Sequence, residues 1–316
     1  MMMNKNLFKK EILQENIVNK SNMQASNIAD KKEETILISI VICTRNRAKF
    51  LPQHFESLAK IQTNYPWEII FVDNNSSDDT PKLLADFVAK SKLPARVINE
   101  KIPGLSNARN AGWAKARANI VGFTDDDCYP APDYIDTLIA AFKDESTSFV
   151  GCRVLLYDPE DLPWTIMLSM DNQHFAPYSY IRPGAIHGAN FAFRKAELQK
   201  LNGFDPLMGS GTPFPCEDCD VLLRALSAGQ QGNYCPEIVV SHHHRRREVD
   251  KPKIERAYLA GRAAFFMKAL VDAKNPSKIA YQWLRSAKYF GLIAFVQELY
   301  IGIKYLLARR KSRLKS

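Results

Sequence analysis

The sequence predicts an α/β fold in which helices cover both faces of a doubly wound, mostly parallel sheet. Two observations support this prediction. Four apolar runs alternate with segments of helical periodicity, and the first run, "TILISIVICT", is nearly unbroken and β-branched, which is typical of a strand buried on both faces. Alternation of strands and helices at this spacing favours right-handed crossovers between parallel strands.

The four strands are expected at residues 35–44, 67–74, 95–100 and 120–127. A first helix is indicated by apolar residues spaced for one helix face, at Leu51, Phe55, Leu58 and Ile61. Two further helices are expected at 80–91 and 105–118, and a helix is expected within the later segment 214–226.

Composition and pattern divide the chain into three segments. Residues 1–34, rich in Lys, Asn, Glu and Gln, are expected to form a mobile leader. Residues 35–250 are expected to form the main domain, with halves at about 35–130 and 131–250. Residues 251–316 are expected to form a helical, basic extension for which contact with a membrane is one interpretation.

The chain is basic, with a formal net charge of +9, and five of its last eight residues are Lys or Arg. Such a tail attracts polyanions, and anionic lipid is the expected one, because nucleic-acid binding has no other support in the sequence. The six cysteines are scattered, and the N-terminal segment lacks the apolar core of a signal peptide. We therefore expect free thiols and a cytoplasmic location, including the inner face of the cell membrane.

Three polar clusters follow predicted strands, at residues 44–47, 73–78 and 125–127. In open α/β sheets ligands bind at the carboxyl ends of the strands, so these clusters are expected to share one crevice. Asp125 and Asp127 are expected to face a common cation such as Mg²⁺ or Mn²⁺, with Asp126 pointing away, because side chains alternate along a strand. The alternative is a solvated acidic loop.

Other polar residues allow two interpretations each. Asp73 is a candidate acceptor for a nucleobase or ribose, or part of a helix-capping segment. Arg109 is a candidate partner for a diphosphate or the acidic cluster, or a surface arginine. Glu217, Asp218 and Asp220 open a helix, where the helix dipole stabilises acids and where a general base is also well placed.

The cysteines raise a second possibility for metal binding. Cys216 and Cys219 form a C-x₂-C pair that, with Cys235 and a histidine of "SHHHRRR", allows a zinc site. No second closely spaced pair is present, so zinc is the weaker interpretation. Oxidation could instead join Cys216 and Cys219 in a disulfide.

Residues 279–308 are markedly apolar and are expected to form one helix with a narrow polar stripe. A full membrane span is not expected, because Glu298 and Lys304 would lie in hydrocarbon without an evident partner. The helix is expected to pack on the domain or lie at the membrane interface, with dimerisation as an alternative.

Seven motifs in order resemble glycosyltransferase family 2, whose members are inverting enzymes of the GT-A fold. The resemblance covers about residues 36–247 and includes "ISIVICTRNR", "EIIFVDNNSSDDT", "GLSNARNAG", "GFTDDDCYP", "GANFAFRK", "FDPLMGSGTPFPCEDCDVLLRAL" and "EIVVSHHHRR". It implies a GT-A type Rossmann-like sheet, with a nucleotide-binding half before an acceptor half. One departure is Cys216, where related sequences often carry glycine.

The resemblance also implies roles for individual residues. Asp218, with Glu217, resembles the catalytic base. Asp127, Asp125 and His242 resemble the metal ligands, with His243 or His244 as alternatives to His242. The implied residues for the nucleotide sugar are Thr44, Asn46, Asp73, Asn75, Arg109, Asp125, Asp126, Gly188 and Asn190.

The implied function is transfer of a sugar from a nucleotide-diphosphate sugar to a hydroxyl of a glycan or lipid-linked acceptor, in surface polysaccharide or glycan synthesis. A UDP-sugar is the first candidate for the donor. The implied cofactor is Mn²⁺ or Mg²⁺. Two alternatives remain at this point. An aspartyl-nucleophile phosphatase also places an acidic motif after a strand, although Tyr129 stands where Thr or Val is usual. A non-catalytic protein that binds glycans or nucleotides is the other.

Overall fold

A computed structural model describes residues 35–273 and 276–314. The leader predicted over residues 1–34 lies outside the described residues, as do the last two residues of the basic tail.

The predicted strands and helices of the first half are present. The strands are β1 (Ile38–Thr44), β2 (Trp67–Asp73), β3 (Ala95–Asn99) and β4 (Ile120–Asp125). The helices that alternate with them are α1 (Leu51–Leu58), α2 (Thr80–Lys90) and α3 (Leu105–Lys115). Every residue of β2 is buried, because helices cover both faces of this part of the sheet.

The second half contributes shorter and more varied elements. Its strands are β5 (Cys128–Pro130), β6 (Thr147–Leu156), β7 (Gln173–Phe175), β8 (Asn190–Arg194) and β9 (Gln231–His242). Its helices are α4 (Tyr134–Ala141), α5 (Lys195–Lys200) and α6 (Glu217–Ser227), and a 3₁₀ turn spans Glu248–Asp250.

These strands form a single mixed sheet in the order β3-β2-β1-β4-β8-β6-β9-β5, with β7 beside β9. The first four strands are parallel, as predicted, whereas β8 runs antiparallel to β4 and β6. In the register of the parallel strands, Thr44 lies beside Asp73 and Cys43 lies beside Asp125. The polar clusters that follow β1, β2 and β4 therefore begin at the same edge of the sheet.

The C-terminal region forms three helices, α7 (Lys251–Asp272), α8 (Pro276–Phe290) and α9 (Leu292–Arg313). The single helix predicted over 279–308 is wrong, because the chain breaks at Gly291 with a φ of 86°. Glycine adopts this left-handed conformation without the steric penalty of a Cβ atom, and the break allows α9 to turn and pack along α7.

Glu298 has the partners that the sequence did not reveal. Its carboxylate is fully buried, accepts a hydrogen bond from Trp283 Nε1 at 2.7 Å, and pairs with Arg262 of α7. Within the described residues no helix is long and apolar enough to cross a membrane.

A second buried polar group joins the C-terminal helices to α6. Lys268 Nζ of α7 lies 2.7 Å from Asp205 and 2.8 Å from Asp220 of α6. Tyr305 of α9 donates a hydrogen bond of 2.7 Å to Asp205. Because burying these charges is favourable only when they are paired, the contacts fix α7 and α9 against the helix that begins at Glu217.

Candidate active site

A cleft of about 610 Å³ opens at the carboxyl edge of the sheet. The ends of β1 and β4 form its floor, and the first turns of α3 and α6 border it. Tyr258 and Arg262 of α7 close one side, so the C-terminal helices take part in the site. The position agrees with the general rule that ligands of open α/β sheets bind outside the carboxyl ends of the strands.

Asp125, Asp127 and His242 come together in this cleft. Their ligand atoms, with the thiol of Cys128, lie within 4.8 Å of one another. His242 Nε2 is 3.2 Å from Asp127 Oδ1, and Arg47 Nη2 is 2.8 Å from Asp127 Oδ2. A soft thiol is poorly suited to Mn²⁺ or Mg²⁺, so the two carboxylates and the imidazole remain as the candidate ligands for such an ion.

Neighbouring groups favour the ionised form of the Asp127 carboxylate. Burial alone would raise its pKa, but the hydrogen bond and charge of His242, together with Arg47, hold the pKa of Asp127 below the ordinary value. Burial alone would lower the pKa of His242, but the hydrogen bond and the charge of Asp127 outweigh the effect of burial. The pKa of His242 is therefore raised above its ordinary value. Asp127 is therefore ionised at neutral pH, which is the state in which a carboxylate can bind a cation.

Asp126 does not point away from the cleft, and that expectation is wrong. The chain turns directly after β4, so the alternation of side chains along a strand no longer applies at residue 126. Asp126 lines the cleft with its Oδ1 3.2 Å from Arg47 Nε. Burial raises the pKa of Asp126 to about 7, against the opposing charge of Arg47.

Arg109 is buried and connects three of the predicted site residues. Its Nη1 lies 2.6 Å from Glu217 Oε1, its Nη2 donates to the carbonyl oxygen of Gly188 at 2.8 Å, and the same nitrogen is 3.5 Å from Asp125 Oδ1. The surface alternative for Arg109 is therefore excluded. Because Glu217 is already paired with a buried guanidinium, its position indicates that it holds the start of α6 in place.

Asp218 lies in the first turn of α6 and lines the cleft. Its Oδ2 accepts a hydrogen bond of 2.7 Å from the backbone N–H of Gly188, and its Oδ1 accepts one of 2.8 Å from the N–H of Cys219. A Cβ atom at Gly188 would lie 3.0 Å from Asp218 Oδ2, so glycine permits this close approach. The two N–H groups orient the carboxylate without neutralising it.

Four of the residues predicted to bind the nucleotide sugar lie outside the lining of the cleft: Asn46, Asp73, Asn75 and Asn190. Two of them organise the loop edge, since Asn46 Oδ1 accepts from Ser77 N at 2.8 Å and Asp73 Oδ1 accepts from Ser76 N at 3.2 Å. Thr44 and Gly188 do line the cleft, and so does Asn74, which the sequence did not single out.

Asn190 supports the strand β4, whose end forms part of the floor of the cleft. It is fully buried, and its Oδ1 accepts a hydrogen bond from Tyr134 Oη at 2.9 Å. Its Nδ2 donates to the carbonyl oxygen of Arg153 at 3.0 Å. With its amide bonded to protein groups, Asn190 positions the end of β4, which pairs with it through Thr124.

Of the three adjacent histidines only His242 reaches the acidic cluster. His243 stacks on Tyr157 with ring centroids 4.9 Å apart, and the buried His244 bonds through Nε2 to the carbonyl oxygen of Leu162 at 2.8 Å. The register of β9 explains this, because His242 pairs with Cys128, the residue directly after Asp127.

The zinc interpretation built on three cysteines does not hold. Cys216 and Cys219 lie together at the start of α6 with Asp218, whereas Cys235 lies in β9 beside Cys152. No disulfide joins them, because all six cysteines are free.

Several further residues line the cleft to which the sequence assigned no individual role, although Arg47 belongs to a cluster that was expected there. Arg47, His187, Arg246, Tyr258 and Arg262 all line the cleft. The signal for Arg47 was its place in the polar cluster after β1, and that for Arg246 was the basic run after the histidines. Tyr258 and Arg262 carry no local signal, since they reach the site only through the packing of α7.

The sequence profile of glycosyl transferase family 2 matches residues 39–201, which is more than half of the chain. The chain belongs to glycosyltransferase family 2. This finding confirms the family that the motifs indicated. The matched range contains Asp125, Asp127 and Arg109 and ends before α6 and His242.

The chain is also similar to curated proteins of the same kind. It is 27% identical over 216 residues to the pre-mycofactocin glycosyltransferase of Mycobacterium tuberculosis, covering 66% of this chain and 43% of that protein. It is 26% identical over 237 residues to the O-antigen chain rhamnosyltransferase RfbN of Salmonella typhimurium, covering 66% of each. The chain thus spans less than half the length of the first of these relatives.

Solved structures of glycosyltransferases share the fold. The mannosyltransferase PcManGT of Pyrobaculum calidifontis, in complex with GDP-Man and Mn²⁺, is 21% identical with a TM-score of 0.60, covering 89% of this chain and 79% of its own. Residues 1–349 of S. aureus TarS, in complex with UDP, are 16% identical with a TM-score of 0.56, covering 77% and 68%. These similarities confirm the GT-A fold.

Proposed function

We propose that this family 2 member is an inverting glycosyltransferase that moves a sugar from a nucleotide-diphosphate sugar to a hydroxyl group of an acceptor. One observation carries the proposal. A single cleft holds a ligand set for a divalent cation, formed by Asp125, Asp127 and His242, and also the oriented carboxylate of Asp218. A transfer of this type needs a site for the anionic leaving group and a base for the acceptor; in this proposal the cation ligands serve the first need and Asp218 the second.

Asp218 is the proposed general base. It would accept the proton of the acceptor hydroxyl as the oxygen attacks the anomeric carbon from the face opposite the leaving nucleotide, which inverts the configuration. Hydrogen bonds from the N–H groups of Gly188 and Cys219 hold the carboxylate in one orientation. Glu217 is proposed to assist by anchoring the helix to Arg109 rather than by touching the acceptor.

The proposed cofactor is Mn²⁺ or Mg²⁺, held by Asp125, Asp127 and His242. When bound, such an ion neutralises negative charge that develops on a departing diphosphate. Arg246 also lines the cleft, and its Nη1 donates a hydrogen bond of 3.1 Å to Tyr258 Oη. Its guanidinium is proposed to contribute a second positive charge towards the diphosphate. Arg109 is proposed to keep Asp125 and Glu217 in position through its ion pairs with both carboxylates.

The nucleoside is proposed to lie at the ends of β1 and β2. Thr44 and Asn74 line the cleft there, and hydrogen bonds accepted by Asp73 and Asn46 hold the adjoining loop that contains Asn75. A nucleoside diphosphate is supported as a class, since related folds bind UDP, UDP-GlcNAc and GDP-Man. We propose a UDP-sugar as the first donor to test, and a glycan or lipid-linked acceptor in surface polysaccharide or glycan synthesis.

The two other candidate functions receive less support. A phosphatase with an aspartate nucleophile is not favoured, because the chain belongs to a family of sugar transferases. A binding protein without catalysis is opposed by the intact and oriented Asp218 carboxylate.

Donor binding is the direct test of the proposal. In a thermal-shift screen of nucleotide sugars, one donor is expected to raise the melting temperature when Mn²⁺ is present. Selective binding to the folded state at 100 times Kd stabilises by about 2.7 kcal/mol. The shift should vanish with a chelator, because the diphosphate and the ion bind together. A panel in which no donor protects the chain, with or without metal, would contradict the proposal.

We also propose that the chain works as a peripheral protein on an anionic membrane, through the outer face of α8 and α9. Large apolar side chains on this face are more than half exposed: Tyr281, Leu284, Leu292, Ile293, Val296, Tyr300, Ile303 and Leu307. Residues 276–314 contain eight Lys and Arg but a single acid, Glu298, which is fully buried. An apolar face with only positive exposed charge favours anionic lipid, whereas a second copy would oppose like charges.

Replacing Val296 and Ile303 together by Asp is expected to reduce binding to vesicles that contain phosphatidylglycerol by about tenfold or more, since each buried apolar side chain contributes about 1.5–3 kcal/mol. Co-sedimentation measures this. Leu168→Asp is the matched control, because Leu168 is equally exposed but lies outside α8 and α9. Equal binding of the double variant, or a dimer that the double variant dissociates, would contradict the membrane proposal.

A further inference from the structure

Two thiols share the cleft with the proposed base. Cys216 directly precedes α6, and Cys219 follows within its first turn. Their sulfur atoms and a carboxylate oxygen of Asp218 all lie within 4.8 Å of one another, and all three residues line the cleft. Both cysteines are half-buried and free, unlike the fully enclosed Cys128 and Cys152.

The geometry of α6 holds these groups on one side. Residues three apart near a helix terminus lie on the same face, so the two thiols are neighbours, with their sulfur atoms within 4.8 Å of each other. Asp218 cannot swing away easily, because the N–H groups of Gly188 and Cys219 hold its two oxygens. The result is a preformed group of two sulfur ligands and one oxygen ligand that opens towards solvent through the cleft.

The chemistry of this group differs from that of the acidic cluster. Thiolates select soft or borderline cations such as Zn²⁺ and Cd²⁺, whereas carboxylates suit Mn²⁺ and Mg²⁺. Tetrahedral zinc forms Zn–S bonds of about 2.3 Å. The ligand atoms lie within 4.8 Å of one another, so small side-chain rotations bring them to bonding distance of one ion. Water or His187, which lines the same cleft, can take the fourth position.

We propose that Cys216, Cys219 and Asp218 form a second metal site, selective for a thiophilic divalent cation such as Zn²⁺, and that its occupation blocks sugar transfer. The cation displaces one proton from each thiol to solvent, and binds the two thiolates and the ionised Asp218 carboxylate with no change of oxidation state. The block rests on the proposed role of Asp218 as base, since a carboxylate bound to zinc no longer accepts the proton of the acceptor.

The test is a titration of the full chain with Cd²⁺, followed by ultraviolet thiolate-to-metal charge-transfer absorption. A phosphine reductant keeps the thiols reduced, and excess Mg²⁺ occupies the acidic cluster. We expect the absorption to saturate at one Cd²⁺ per chain. The double variant Cys216→Ser/Cys219→Ser should lose it. Each single variant should weaken binding by at least about 100-fold, because loss of even an outer-shell partner weakens metal sites by about 10–100-fold.

Two control variants separate this site from other metal ligands. Cys235→Ser removes a thiol outside the cleft and should leave the absorption unchanged. Asp127→Asn alters the cluster that includes Cys128 and should also leave it unchanged. Absorption that is absent from the unmodified chain, or that persists in the double variant, would overturn the site whatever the catalytic activity proves to be.

Transfer rates then test the blocking effect. Zn²⁺ should inhibit the unmodified chain, while the double variant, measured against its own zinc-free rate, should resist inhibition. If Cd²⁺ binds with the expected absorption but Zn²⁺ leaves transfer unchanged, the blocking half of the proposal is overturned and the thiolate site stands. Failure of donor binding in the thermal-shift screen would instead contradict the proposed function and leave the metal site standing.

Discussion

Replacing Asp218 by Asn is expected to lower kcat by about 10²–10⁴-fold, the contribution typical of a positioned general base. Asn has nearly the same shape, and its carbonyl oxygen can still accept a hydrogen bond from Gly188 or Cys219. The amide, however, cannot take a proton from the acceptor. Initial transfer rates at saturating donor measure the effect, and thermal shift with donor and Mn²⁺ should show that donor binding persists.

Asp220→Asn is the matched control for this variant. Asp220 lies in the first turn of the same helix but outside the cleft, where it pairs with Lys268 at 2.8 Å and Arg224 at 2.8 Å. Its replacement should lower the melting temperature, because a buried ion pair is broken, and leave kcat near the original value. An Asp218→Asn variant with full kcat would show that another group removes the proton.

The sequence revealed the parts of this site that depend on local pattern. The apolar runs predicted the parallel strands, and the general geometry of such sheets then brought Asp125 and Asp127 to the end of β1. The acids at the start of α6 were also visible, although local pattern could not decide between helix stabilisation and catalysis for Asp218. The structure adds the hydrogen bond from Gly188, thirty residues away, which orients this carboxylate into the cleft.

What the sequence could not supply depends on register and on distant partners. His242 is distinguished from its two neighbours only by the pairing of β9 with β5. Glu298 lacked a visible partner because Arg262 lies on another helix, and Gly291 gave no sign of a break because glycine also occurs within helices. Arg262 enters the cleft only after α7 packs against α6, a tertiary contact that no local pattern encodes.

The second large effect is expected from Asp127→Asn, which should weaken Mn²⁺-dependent binding of UDP by at least about 100-fold, since even outer-shell losses weaken metal sites by about 10–100-fold. Asp127 is the acid that contacts His242 at 3.2 Å, and its charge is maintained by this contact and by Arg47. The amide removes a charged ligand and weakens the pairing that offsets the positive charge of Arg47. Calorimetric titration of UDP at fixed Mn²⁺ measures the change.

Asp158→Asn is the matched control for Asp127→Asn, because Asp158 also belongs to a group of candidate ligand atoms. Asp158, Asp161 and His243 form another group whose ligand atoms lie within 4.8 Å of one another, but none of them lines the cleft. Asp158 already pairs with Arg247 at 2.8 Å, so a cation would have to displace that guanidinium. If position in the cleft decides where the metal acts, Asp158→Asn should bind UDP and Mn²⁺ as before. If this variant loses Mn²⁺ dependence while Asp127→Asn keeps it, then the cleft is not the metal site.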